Sequence, residues 1–277
     1  MTDFDAAGLD PQTLLAAYDA NLRARVPDPV PAGVTVERDG PLIRIIGLDP
    51  GGFLTSQTLG GLDGAELDDL IARQVALFAE RRQPVEWKLH GHDQPADLGD
   101  RLRAAGFEPE ETETVVVGAV AALAATMPVL PAGVRLREVT SRADLDVIAR
   151  MEEAVWGDDR DWLADGLEKE LAADPQALSV VVAEAQEPPG SGATTVVSAG
   201  WVRYVPGTGF ATLWGGSTLK PWRRRGIYRA LVTYRARLAA ARGYTLLQVD
   251  ASDDSRPILE RLGFVALTTT TPYVWRP

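Results

Sequence analysis

Arg223, Arg224 and Arg225 stand in a row ahead of Gly226, and an apolar helical stripe opens directly behind them. Ile227, Ala230, Leu231, Tyr234, Leu238 and Ala241 recur at helical spacing, and Gly243 ends the run. A helix that begins there turns unpaired N–H groups and the positive end of its dipole toward the basic loop. Glycine at 226 lets an oxygen approach backbone that a Cβ would obstruct. The arginines add charge and forked donors. Preceded by a strand ending near Thr218, this is an anion site suited to a pyrophosphate. The alternative is a basic surface loop between a strand and a helix.

Two further groups of residues could do chemistry. His90 and His92, the only histidines, put both rings on one strand face, with Asp93 as a conceivable third metal ligand. Two ligands and an adjacent carboxylate rarely suffice, so the favoured reading is a strand end with its imidazoles bonded nearby, and no metal. The stretch Trp156 to Leu163 is a loop of acids and indoles. Asp158 and Asp159 can attract a cation there, and Trp156 and Trp162 can face it.

Composition limits the partners. The chain has 277 residues and could be one large domain or two ordinary ones. It has no cysteine, which excludes disulfides, thiolate metal sites and a cysteine nucleophile. A net charge of −11 argues against nucleic acid and suits a cationic small molecule. No apolar run approaches a membrane span, and Met1 to Ala20 has no basic start with an apolar core. A cytoplasmic protein, monomer or homodimer, with no membrane partner is expected.

The elements that must position these residues follow from hydrophobic periodicity and breakers. In the first half, a helix is expected over Asp10–Ala24, then a proline break at Pro27, Pro29 and Pro31. A hairpin follows, Val34–Arg38 and Leu42–Ile46 about Asp39-Gly40. Then come a glycine-rich loop over Gly47–Gly64, a helix over Ala65–Arg81, a strand over Val85–Leu89, a helix over Asp97–Ala105 and a strand over Thr112–Val120. The join is expected within Ala124–Gly133. The second half reads as strand Val134–Val139, helices Arg142–Val155 and Leu167–Ala172, and strands Leu178–Glu184, Val196–Tyr204 and Phe210–Thr218. Pro188–Gly192 is a loop between the first two of those three strands. The basic loop and its helix follow, then strand Thr245–Asp250 and a closing strand at Tyr273–Trp275.

Arg223-x-x-Gly226-x-Tyr228 resembles the pyrophosphate loop of the GNAT acyltransferase superfamily, Arg/Gln-x-x-Gly-x-Gly/Ala, with Tyr228 in place of the final small residue. Ala251 to Phe264, ending in Leu262-Gly263-Phe264, is similar to that family's second motif. Leu102-Arg-Ala-Ala-Gly-Phe107 parallels Leu259-Glu-Arg-Leu-Gly-Phe264, which suggests a tandem repeat. The first copy carries Gly60-Gly-Leu-Asp-Gly64 where the basic loop should be, and Asp63 would repel pyrophosphate. The resemblance implies an α/β (α+β) fold of two GNAT-like domains, each a mixed, mostly antiparallel sheet flanked by helices. Residues 1–127 would be the degenerate copy, and 128–277 the acetyltransferase domain.

The resemblance also implies site roles. Acetyl-CoA would be the co-substrate. Its pantetheine arm would bond to backbone around Gly216, Ser217 and Thr218, one of whose N–H groups would face the thioester carbonyl. Its phosphates would lie on Arg223, Arg224, Arg225, Gly226, Ile227, Tyr228 and Arg229, with Ser252 at the place of the usual Asn. An amine would attack the thioester directly. The strand carboxylate of many relatives is absent, leaving Glu152, Asp158 and Asp159 as nearest bases, each with the alternative of a solvated helix end. The usual acid, a Tyr in the second motif, is replaced by Leu259, which leaves Tyr228 or water. The implied function is N-acetylation of a small, cationic amine, with Trp156, Asp158 and Asp159 toward the acceptor. Two alternatives stand beside it: a tandem acyltransferase resembling mycothiol synthase in layout, and a coenzyme A-binding regulatory module.

Overall fold

The computed structural model describes residues 10–28, 30–48, 51–186 and 192–277. Pro29 of the proline break, residues 49–50 of the glycine-rich stretch and residues 188–191 of the Pro188–Gly192 loop lie outside the described residues.

The first elements are helix α1 (Pro11–Asn21), capped where Asp10 accepts the Thr13 N–H at 3.0 Å, and strands β1 (Thr35–Asp39) and β2 (Leu42–Ile46). A short strand β3 (Gly52–Thr55) lies inside the stretch read as loop. Gly52 explains the misreading. Strand interiors disfavour glycine, but here a Cβ would run into the Phe78 ring, so the pairing requires a residue without one. Helix α2 (Gly64–Arg81), strand β4 (Val85–His90), helix α3 (Leu98–Ala104) and strands β5 (Glu108–Pro109) and β6 (Glu113–Ala119) complete the first repeat. A short helix, α4 (Val120–Ala125), built on good helix formers, follows β6 and ends inside the expected join.

The second repeat holds strand β7 (Val134–Val139), helices α5 (Arg142–Trp156) and α6 (Asp161–Ala173), and strands β8 (Leu178–Gln186), β9 (Thr194–Tyr204) and β10 (Phe210–Thr218). Helix α7 (Ile227–Ala241), strand β11 (Leu246–Ala251), helix α8 (Arg256–Arg261) and strand β12 (Val265–Trp275) close it. Helix α6 starts earlier than expected, because Leu163 and Ala164 are buried on its first turns. Strand β12 is longer than expected, since the β-branched run Thr268–Thr271 extends it.

Both repeats end their short helix in the same way. Gly106 and Gly263 take positive φ, 91° and 97°. The N–H of Phe107 reaches Leu102 O at 3.0 Å, and that of Phe264 reaches Leu259 O at 3.1 Å. This is a glycine cap followed by a buried aromatic, formed twice from Gly-Phe.

The described chain groups into two compact units that do not follow the repeats. One, called the N-terminal unit here, holds 10–115, 250–256 and 266–277; the C-terminal unit holds 116–249 and 257–265. In the N-terminal unit the strand order is β1-β2-β3-β4-β12, antiparallel except for β3 with β4. Its core includes Leu42, Leu54, Leu67, Leu70, Phe78, Trp87, Phe107 and Tyr273. In the C-terminal unit the order is β11-β10-β9-β8-β7, antiparallel except for β10 with β11. Helices α5 and α6 pack Leu145, Ile148, Leu163 and Leu167 against Val180, Val182, Ala199 and Trp201, while α7 packs Ile227 and Leu231 against Val181, Ala183 and Val197.

Gly52→Ala tests the fit of β3. The added methyl must displace the Phe78 ring, and overpacking of this kind costs about 1–3 kcal/mol. Urea unfolding of the variant should show that loss.

Candidate functional site

Strand β10 pairs with β11 over Phe210–Thr212 only, against Leu246–Gln248. On its other side it pairs with β9 as far as Thr218. The two parallel strands therefore stop pairing after Thr212, while β10 itself runs on to Thr218. Gly215 pairs with Gly200 and Ser217 with Ala199, which leaves Gly216 as the extra residue of a bulge. Gly215 and Gly216 have φ of 64° and 97°. A Cβ on Gly215 would meet Trp201 at 2.6 Å, and one on Gly216 would meet Tyr228 at 2.7 Å. Glycine at these positions is set both by backbone conformation and by space.

The bulge is held by hydrogen bonds from its neighbours. Ser198 Oγ donates to Ser217 O at 2.6 Å and shares a bond with Thr218 Oγ1 at 2.8 Å. Arg223 Nε donates to Thr218 O at 2.9 Å, folding the basic loop back onto the strand end. After a 3₁₀ turn at Lys220–Trp222, Arg225 stacks over Trp222 at 4.7 Å, and Arg224 and Gly226 take positive φ, 61° and 82°. Helix α7 then starts. No side chain caps it, and its first turn bond is Ala230 N–H to Gly226 O at 3.0 Å. Arg223, Arg224, Arg225 and Arg229 are exposed around that end. Left-handed residues on either side of Arg225, just before a helix N-terminus, turn the intervening N–H groups into a concave nest suited to an anion. The Tyr228 ring, against Gly216, ties the helix start to the bulge.

Glu152 of α5 reaches the same strand. It is 4% exposed, and its Oε2 accepts from Ser217 Oγ at 2.7 Å and from Trp156 Nε1 at 2.9 Å. The same indole N–H lies 3.0 Å from Ser217 Oγ. Its other oxygen, Oε1, is buried without a partner. Burial pushes the Glu152 pKa up, only partly offset by the bonds from Ser217 and Trp156. A buried carboxylate with a spare oxygen and a raised pKa, one hydroxyl from a strand edge, has the properties of a general base.

The structure brings Gly216, Ser217, Thr218, Glu152, Trp156, Tyr228 and the Arg223–Arg229 loop together. It places the others differently. Asp158 is exposed and pairs with Arg160 at 2.9 Å, and Asp159 accepts the Asp161 N–H at 2.9 Å, at the start of α6. Arg160 itself lies 5.8 Å over both Trp156 and Trp162, so the cation between the indoles belongs to the protein. Ser252 lies in the segment of the N-terminal unit after β11 and bonds Ser255 Oγ at 3.3 Å. Leu259 is fully buried.

Sequence reasoning missed Arg235, which is buried on α7 and donates to Trp201 O and Trp214 O at 3.1 and 3.0 Å. Its charge suggests solvent, although position 235 falls four residues past Leu231 and eight past Ile227, in line with the buried stripe. The glycine that clears its path is Gly200, where a Cβ would stand 2.8 Å from Nη1.

The N-terminal unit treats the matching features otherwise. Strands β3 and β4 also pair over three residues, Gly52–Leu54 with Val85–Trp87. Beyond them Arg23 Nε donates to Ser56 O at 2.8 Å, and its guanidinium also meets Asp93 and His92. His90 bonds Tyr18 at 3.1 Å, and burial, then the charges of Arg23 and Lys88, pull its pKa down to about 2. His92 bonds Thr268 and Asp19 at 2.9 and 3.1 Å. Asp63 caps α2 through the Gly64 N–H at 2.6 Å, so a carboxylate of the chain already sits at that helix end. Among the described residues no helix is long and apolar enough to cross a membrane.

Comparison with known proteins places this architecture. No family profile and no curated sequence matches the chain. Solved structures do. A GCN5-related N-acetyltransferase from Kribbella flavida is 17% identical with a TM-score of 0.68, over 98% of this chain and 97% of its own. One from Sphaerobacter thermophilus is 14% identical with a TM-score of 0.61, over 87% and 82%. A tandem GNAT protein from the clavulanic acid biosynthesis pathway is 13% identical with a TM-score of 0.62, over 96% and 94%.

The raised Glu152 pKa fixes a pH effect. An acid whose folded pKa lies above its unfolded one ionises more readily when unfolded, so folding loses stability as pH rises from about 4.3 toward the folded value. Glu152→Gln removes that loss. Its urea midpoint should match the parent near about pH 4 and exceed it, by a margin that grows and then levels off, at higher pH.

Proposed function

Starting from a chain that carries the GNAT acetyltransferase fold in tandem, we propose that its C-terminal unit is an acetyl-CoA-dependent N-acetyltransferase acting on a small, cationic amine. The observation that carries this reading is the open edge of β10 beyond Thr212, beside the helix end of α7 that no side chain caps.

The residues fit the co-substrate. The N–H nest at Arg224–Gly226 and the exposed arginines suit a pyrophosphate. The Gly215–Ser217 edge can pair with an extended amide-bearing arm as a sheet neighbour would, and the missing Cβ atoms leave room at the bulge. Acetyl-CoA, when bound, supplies an activated acyl thioester. The chain supplies the rest. Backbone N–H groups of the bulge face the thioester carbonyl and stabilise charge on its oxygen. Glu152, directly or through the Ser217 hydroxyl that already donates to it, takes the proton of the attacking amine. Such a base is needed because a free alkyl amine has a pKa of about 10.4 and is almost wholly protonated at pH 7. Tyr228, whose ring lies against Gly216, is assigned here the donation of a hydrogen bond to the departing sulfur.

The net charge of −11 supports a cationic acceptor. If the acceptor binds between Trp156 and Trp162, its charge exchanges for that of Arg160. One observation favours a binding module without turnover: Leu259, at the position the motif resemblance gives to the family's usual acid, cannot donate a proton and is buried.

Gly226→Glu adds bulk and negative charge at the nest. Acetyl-CoA should bind the parent once per chain in calorimetry and this variant not at all; retained stoichiometric binding would refute the site. Glu152→Gln separates the enzyme from the binding module. It should lower kcat by about 10²–10⁴ in an amine panel followed by thiol release, with acetyl-CoA affinity unchanged. A chain without cysteine adds no background to that assay.

A further inference from the structure

Arg235 is 1% exposed, and among the described residues it forms no ion pair. Its Nε donates to Leu231 O, one turn back in α7, at 3.2 Å, and its Nη1 donates to Trp201 O of β9 and Trp214 O of β10. Its Nη2 is turned toward the bulge: a Cβ on Gly216 would lie 3.8 Å from it. A Cβ on Gly200 would stand 2.8 Å from Nη1, so glycine there is what admits the guanidinium. Burial pulls its pKa down, to about 10, which still leaves it protonated at neutral pH. Three neutral carbonyls hold this group but do not cancel its charge. The bulge therefore has an uncompensated cation directly behind it, and unpaired buried charges are retained at functional sites more readily than for stability.

We propose that Arg235 is an electrostatic positioning residue that lets the sulfur of coenzyme A leave as a thiolate, in place of the acid absent at Leu259. The inference rests on the acetyltransferase reading. Glu152 takes the ammonium proton first and passes it to solvent; the neutral amine nitrogen then bonds to the carbonyl carbon, the carbon–sulfur bond breaks, the sulfur keeps the bonding pair, and the nitrogen's second proton passes to the emptied Glu152. A thiol has an ordinary pKa of about 8.5, and an opposite charge within about 4–6 Å lowers an acid by about one to three units. Other ionisable groups face the bulge. Tyr228 comes from the same helix. Glu152 comes from α5 through Ser217, and its charge opposes the effect. The loop arginines are exposed and screened by salt.

The test reads the thiol of bound coenzyme A by its thiolate absorbance, which no cysteine of the chain obscures. In the parent complex the thiol should titrate about one to two units below the free cofactor. Arg235→Met removes the charge at similar volume and should return the thiol to its free value, with coenzyme A still bound. Arg235→Lys keeps the charge and should keep most of the downshift, even if the methionine variant does not fold. A parent complex with an unshifted thiol overturns the inference and leaves the acetyltransferase reading intact. So does a folded, coenzyme A-binding Arg235→Met with the parent's thiol pKa. Failure of the parent to bind coenzyme A at all overturns both.

Discussion

A strand in the middle of a sheet cannot leave its backbone groups unpaired on one side without something to meet them. Strand β10 keeps β11 for three residues and then runs on alone along that edge to Thr218. The surrounding features answer that constraint. The bulge at Gly216 turns the edge, Gly215 and Gly216 make the turn sterically possible, and Ser198, Arg223 and Arg235 hold the carbonyls of Ser217, Thr218 and Trp214. The matching edge in the N-terminal unit follows β3, where Arg23 donates to Ser56 O from within the chain. One fold thus meets the same constraint twice, once with Arg23 on the edge and once with a β10 edge that β11 has left.

The two helix ends show the same contrast in charge. Helix α2 begins at Asp63, a carboxylate that caps its own first turn and in turn pairs with Arg101. Helix α7 begins at Gly226 among exposed arginines, with no side-chain cap. An anion is favoured at either end by the helix dipole, and the sequence decides whether it is internal. Glu152 adds the complementary cost: a carboxylate kept from water with one oxygen unpartnered is destabilising where it stands.

Much of this was legible because local patterns agreed with tertiary ones. Strands Leu42–Ile46, Val134–Val139 and Phe210–Thr218 have the expected bounds, and α7 begins at Ile227 where its stripe starts. The Gly-Phe repeat marked two identical helix caps. What escaped had causes outside the local window. Strand β3 depends on a ring from another element, and α6 opens among acids and indoles whose polarity hides Leu163. Arg160 was not read as the cation between its neighbouring indoles, because a loop of acids suggests an external one. Arg235 went unread because its partners are carbonyls on strands distant in sequence.

The strand pairings also set an order of assembly. Val85–His90 in β4 pairs with Thr270–Trp275 in β12, and the compact unit that holds β4 takes in 266–277 rather than ending near 115. Conversely, 116–127 cluster with the second repeat. A ribosome that has released only the first repeat has therefore made a sheet whose β4 lacks its neighbour, with one row of backbone groups exposed to mispairing. Contacts of such wide sequence separation are slow to close. Cutting the gene between the repeats would not yield two domains but two unfinished sheets, each missing a segment that the other fragment carries.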